Sequence, residues 1–227
     1  TSYFLLPNAA ILDPRMTLTL PPHITAMTAM DAMTHAIESI TGLASNPISD
    51  AYAMSAIKKV SENLIAVLDK PDNADARLEL AQASTMAGIA FSNSMVGLVH
   101  SLGHSLGALC HLPHGLCMNL FLPYVLEYNL ESRGDVIGEL LLPLAGADVY
   151  AATPAAKRPA KTIETLCDIR DELYLRCKLP RRLSETGKVS RDQLARIAEM
   201  ALDDGSIIMN PMEVDLSDAM AVLEKAW

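Results

Sequence analysis

Residues 97–119 read Gly-Leu-Val-His-Ser-Leu-Gly-His-Ser-Leu-Gly-Ala-Leu-Cys-His-Leu-Pro-His-Gly-Leu-Cys-Met-Asn. The stretch holds four of the chain's six histidines, at 100, 104, 111 and 114, and glycines at 97, 103, 107 and 115. It contains no Lys, Arg, Asp or Glu. A segment this apolar belongs inside a fold, and an imidazole taken inside without a polar partner is costly. The simplest partner for several imidazoles at once is a metal ion. Whatever this chain folds into must therefore wrap other elements around the segment and bring ligating groups to it.

The flanking sequence supplies helices for that purpose. Half of the 227 residues are apolar but only 4% are aromatic, with 12 methionines and abundant alanine. Such a composition favours packed helices over a β-sandwich. Pro21-Pro22 can open a helix that Gly42 ends, and Asn46-Pro47 opens a second that Lys70-Pro71-Asp72 stops. A third helix is expected over 73–92, and the focal stretch divides into 97–110 and 113–128. Apolar residues at helical spacing continue over 132–147, 157–178, 191–203 and 216–226. Ser190-Arg-Asp-Gln193 has the form of a capping box, and Asp215 or Ser217 can cap the last helix. The expected architecture is all-α, a multi-helix bundle of about eight helices. A short extended segment precedes it over residues 1–20, with a turn at Asp13-Pro14-Arg15.

Several function classes are disfavoured. A net charge of −9 argues against nucleic acid and anionic membrane surfaces as partners. The short basic run from Lys178 to Arg182 reads as a solvated helix end. No uninterrupted apolar window is long enough to span a membrane. The four cysteines, Cys110, Cys117, Cys167 and Cys177, form no C-x-x-C pair, so reduced thiols and a cytoplasmic location are expected. Neither G-x-G-x-x-G nor G-x-x-x-x-G-K-[ST] occurs. Thr1-Ser-Tyr-Phe-Leu-Leu-Pro7 reads as an extended piece arriving from elsewhere, as in the C-terminal portion of a longer protein.

Two helical pairs could carry chemistry. Asp31 and His35 stand at i and i+4 on an otherwise Ala-, Met-, Ile- and Thr-rich helix, which stacks them on one face. Glu38 lies on the same stripe, either as a partner that fixes the tautomer of a ligand imidazole or as part of a solvated face. His100 and His104 repeat the spacing, and Gly103 and Gly107 could let a neighbouring backbone come close. Pro113-His114 begins the next helix, where the chain can double back. Three histidines and one aspartate drawn from these helices would form an N3O site suited to Fe(II) or Zn(II) rather than Mg or Ca. Taken singly, each histidine is more often a hydrogen-bonded core residue than a ligand. H-E-x-x-H is absent because Ser occupies 101, so a zincin peptidase lacks its base. His111 is expected to be peripheral, His23 exposed, and Cys110 and Cys117 small apolar fillers at the border of the site.

Several longer motifs occur in register. They are Ala10-Ile-Leu-Asp-Pro14, Leu20-Pro-Pro, Met30-Asp-Ala-Met-Thr-His-Ala-Ile-Glu38, Gly88-Ile-Ala-Phe-Ser-Asn93, Gly97 through Ala108, and Leu112-Pro-His-Gly115. Together they resemble the signature of the iron-containing (group III) alcohol dehydrogenases. Asn46-Pro47 and Asn210-Pro211 also fall where that family has Asn-Pro, and Ser105 departs from the Pro of many members.

The resemblance implies a two-domain enzyme of which this chain is the helical part. Residues 1–20 would be the connector from a missing N-terminal nucleotide-binding domain, and 21–227 the all-helical metal-binding domain. Asp31, His35, His100 and His114 would be the metal ligands, and His104 the catalytic histidine near nicotinamide and substrate. The expected cofactors are Fe(II), with Zn(II) as alternative, and NAD or NADP through the missing domain. The expected activity is interconversion of a primary or small alcohol and its aldehyde, in a homo-oligomer with a dimer foremost, and the isolated chain is expected to be inactive. The alternatives are a non-catalytic metal-binding helical module, or a relative of the glycerol dehydrogenase or lyase type.

Overall fold

The computed structural model describes residues 7–227; the first six residues of the expected extended segment lie outside the described residues. Residues 7–13 carry no regular structure, and Asp13 caps a single 3-10 turn at Pro14–Thr17 by accepting the Arg15 N–H. Eleven α-helices and no strand occupy the described residues.

The first three helices are set by their caps. Helix α1, Pro22–Thr41, starts on a proline whose fixed φ suits the first turn. Helix α2, Pro47–Asp69, is capped by a reciprocal pair between Asn46 and Ser49. Helix α3, Ala74–Ser94, is capped by Asn73. The two halves of the histidine-rich stretch are α4, Leu98–Cys110, and α5, His114–Tyr128. Helix α1 is buried along most of its surface and packs against α2, α3 and α5. That makes it the axis of the fold, and the two ligands it offers, Asp31 and His35, sit half-buried at the edge of the core.

The 132–147 region departs from expectation and raises the helix count above eight. It forms three short helices, α6 (Leu130–Glu139), α7 (Leu141–Ala145) and α8 (Ala147–Ala152). Pro143 lacks the N–H that would reach back to Glu139, so the ladder breaks between α6 and α7. Gly146, at φ +86°, then ends α7 in a conformation that other residues rarely adopt. Helix α9, Arg158–Cys177, packs on α6 and α7. Helix α10, Leu194–Leu202, follows a capping box of Ser190 and Gln193, and α11, Leu216–Lys225, is capped by Asp215. Helix α10 lies on α4, and so does the 3-10 turn Gly205–Met209 that follows it.

Candidate metal centre

Three helices converge on one cluster. Helix α1 supplies Asp31 and His35 one turn apart, α4 supplies His100 and His104, and α5 supplies His114 as its first residue. One donor atom from each of Asp31, His35, His100 and His114 lies within 4.8 Å of the others. Donors about 2.1 Å from a shared metal sit at most about 4.2 Å apart, so a sub-ångström contraction closes a coordination sphere here. Exposure grades across the cluster: the His100 side chain is 2% accessible, His35 18%, Asp31 24% and His114 44%. His100 forms the floor, and the opposite side opens to solvent.

Close packing at glycine brings α5 to α1. A Cβ on Gly115 would stand 2.4 Å from the Met27 carbonyl oxygen, so only glycine lets the start of α5 lie against α1 one turn before Asp31. Of the two glycines expected to admit a neighbouring backbone, Gly107 does so, with the Leu112 carbonyl oxygen 3.3 Å from where a Cβ would stand, whereas at Gly103 a Cβ would meet the flexible end of the Met118 side chain.

Glu38 fixes the floor. Its Oε1 accepts the Val99 N–H at 2.7 Å, and its Oε2 lies 2.5 Å from His100 Nδ1. Glu38 is buried, so it is not on a solvated face. A carboxylate at the start of α4 is favoured by the free N–H groups and dipole there. With Nδ1–H donated to Glu38, the lone pair of His100 Nε2 points into the cluster, the tautomer a metal ligand requires. Phe91 and His100 sandwich the His35 ring, with centroids at 4.2 and 4.5 Å. Burial, and next the neighbouring His100, push the His35 imidazole down to about 4, so it remains neutral. Burial raises the Asp31 carboxyl, but His114, His35 and His100 outweigh it and hold the group below its ordinary value. The carboxylate in turn raises His114.

Two polar atoms in the cluster are left without partners. His100 Nε2 and Asp31 Oδ1 are both buried and accept no hydrogen bond; His114 Nε2 comes to 3.2 Å of Asp31 Oδ1 without forming a directed one. Each such atom costs about 1–3 kcal/mol. A divalent cation would satisfy both, so the residues present fit one.

The remaining histidines lie outside the four-donor group. His104, 41% accessible, stacks on His114 with centroids 5.3 Å apart. Its Nδ1 lies 2.9 Å from Asp204 Oδ2. Asp204 is absent from the residues expected from the sequence; its one local signal is an Asp-Gly-Ser pattern, since it caps the turn Gly205–Met209. His23 is exposed. His111 ends α4 in the left-handed region at φ +52° and is exposed, outside the ring cluster. Cys110 and Cys117 are buried fillers, and burial pushes the Cys117 thiol up to about 12.

Comparison with known proteins gives the family. Residues 25–227 match the model of the Fe-containing alcohol dehydrogenase family, C-terminal. The chain belongs to that family. Alcohol dehydrogenase 4 of Saccharomyces cerevisiae is 34% identical over 223 residues, covering 97% of this chain and 55% of the yeast protein. A 1,3-propanediol dehydrogenase of Klebsiella pneumoniae is 33% identical over 98% of this chain and 56% of its own length. The crystal structure of a 1,3-propanediol oxidoreductase superposes with a TM-score of 0.89 at 31% identity, covering 95% of this chain and 55% of that one. This family member thus spans about half the length of the curated relatives it matches. None of its described helices is long and apolar enough to cross a membrane.

Proposed function

We propose that this chain is the metal-holding part of an NAD(P)-linked dehydrogenase that interconverts a primary or small alcohol, a short diol included, and its aldehyde. The observation that carries the reading is a pair of buried acceptors that take no hydrogen bond, His100 Nε2 and Asp31 Oδ1, inside a four-donor cluster. Asp31, His35, His100 and His114 would hold the ion. The family's character favours Fe(II), while three imidazoles and a carboxylate also suit Zn(II). In this reading residues 1–20 lead from a nucleotide-binding domain, and 21–227 are the metal-binding domain.

When bound, the metal supplies Lewis-acid polarisation of the substrate oxygen, and the nicotinamide supplies the hydride-accepting carbon. The chain's own residues do the rest. Glu38 holds the His100 ring in one tautomer, and Phe91 and His100 hold His35 between them, so the donors are preorganised. Burial keeps His35 uncharged and available. His104 stands at the open side, next to His114, where it can take the hydroxyl proton and pass it to solvent.

The test is metal analysis of the protein loaded anaerobically with Fe(II) or Zn(II), alongside His100→Ala. About one ion per chain, lost in the variant, is the expected result; a variant that keeps its metal overturns the ligand set. Turnover of short primary alcohols and diols with NAD or NADP, in the protein joined to its nucleotide-binding half, tests the reaction itself.

A further inference from the structure

We propose that Asp204 is the positioning residue for His104: its carboxylate holds the Nδ1–H edge of that imidazole and so leaves Nε2 as the one ring nitrogen free to take the substrate's proton. The inference rests on the dehydrogenase reading above and extends it to a residue far from the histidine-rich stretch.

The geometry is specific on both sides of the contact. Asp204 Oδ1 accepts the backbone N–H of Ser206 at 2.8 Å, which fixes the carboxylate plane. Its other oxygen, Oδ2, is then directed at His104 Nδ1, 2.9 Å away. The Asp204 backbone N–H donates to the Ala201 carbonyl, and that same carbonyl accepts the Ser101 hydroxyl of α4 at 2.5 Å. The end of α10 is thereby tied to α4 one turn before His104, so carboxylate and imidazole ride on one rigid frame. The His104 ring also stacks on His114 at an interplanar angle of 21°. A half-exposed histidine with neither restraint would sample both tautomers and several rotamers. Here one nitrogen is assigned to a fixed acceptor, and only the other is left for chemistry.

The proton count closes. Oxidation removes a hydride from the alcohol carbon, which the nicotinamide accepts, and a proton from the hydroxyl. The O–H bond breaks as the Nε2–H bond of His104 forms, and the imidazolium then gives that Nε2-bound proton to water, which restores the Nδ1–H tautomer held by Asp204.

Asp204→Asn and Asp204→Ser separate positioning from support, because Asn and Ser are both good helix-type N-caps and retain the turn at Ser206. In the Asp204→Asn protein the amide oxygen takes the Ser206 N–H and the NH2 group faces Nδ1, which forces the proton onto Nε2. We expect kcat in the full-length dehydrogenase to fall at least about tenfold in both variants, with KM for the alcohol, metal content and thermal midpoint unchanged. Nitrogen-15 spectra of the His104 side chain should show an Nδ1–H tautomer in the parent protein and an Nε2–H tautomer in Asp204→Asn. Parental kcat in both variants, or an unchanged tautomer in Asp204→Asn, overturns the proposal. A parent protein without turnover on any alcohol overturns the dehydrogenase reading itself, and the tautomer spectra then report on the Asp204–His104 contact alone.

Discussion

Glu38 bridges two groups at the start of α4: one carboxylate oxygen takes the Val99 N–H at 2.7 Å and the other sits 2.5 Å from His100 Nδ1. The two contacts make Glu38 at once a helix anchor and the arbiter of the His100 tautomer. In Glu38→Gln the amide oxygen can keep Val99 while the NH2 faces Nδ1, so the proton moves to the nitrogen that should bind metal. Metal affinity should fall about 10–100-fold, with helix content by circular dichroism retained. Chelator competition measures it; parental affinity in the variant removes Glu38 from the site.

Gly115 carries the helix crossing that brings His114 to Asp31. A methyl group there has no room, because the Met27 carbonyl oxygen would be 2.4 Å away. Gly115→Ala should lower stability by about 1–3 kcal/mol and, by moving the first turn of α5 outward, weaken metal binding further than His104→Ala does. Urea unfolding of the metal-free protein and metal titration of both variants check the two effects separately. Equal metal affinity in Gly115→Ala and the parent would falsify the crossing as the device that sets His114.

Much of this arrangement is legible in the sequence, and its limits have physical causes. The i, i+4 spacing of Asp31 with His35 and of His100 with His104 survives into the structure because both pairs ride on uninterrupted helices. Caps at Asn46, Ser190 and Asp215 are local hydrogen-bond patterns and are equally readable. Pro143 and Gly146 are also visible, but an apolar repeat that continues past them hides the break into α6, α7 and α8. The approach of Gly115 to Met27 and the reach of Asp204 to His104 are different in kind. The second joins positions 100 residues apart, and neither residue's neighbours name its partner. Such contacts are properties of how helices cross, which periodicity does not encode.

Met95 sits between α3 and α4 with φ +67° and ψ −175°, a region that only glycine enters without strain. Its side chain is about half exposed and packs into no core, so little is lost by removing it. Met95→Gly relieves strain of about 1–3 kcal/mol against a glycine chain-entropy cost of up to about 1 kcal/mol. A net stabilisation of about 1 kcal/mol is expected. Denaturant midpoints of the parent and the variant decide it, and a destabilised variant would show that the surrounding loop does not store that strain.

Cys117 makes the fold less stable at alkaline pH. Burial, and next the charge of a nearby Cys110 thiolate, push its thiol from 9.0 up to about 12. The native state therefore holds this proton more tightly than the unfolded chain does. Its contribution to stability is fully present below the unfolded value and is lost as pH rises from about 9 towards about 12. Denaturation midpoints measured from about pH 8 to about pH 11 should decline for the parent, and the decline should be shallower in Cys117→Ala, even though the small cavity lowers that variant's midpoint throughout. For the same reason the native thiol should resist iodoacetamide at about pH 8 and react on unfolding, since only the thiolate is nucleophilic. Rapid alkylation of Cys117 in the native protein at that pH, or parallel stability curves for the two proteins, would contradict the assignment.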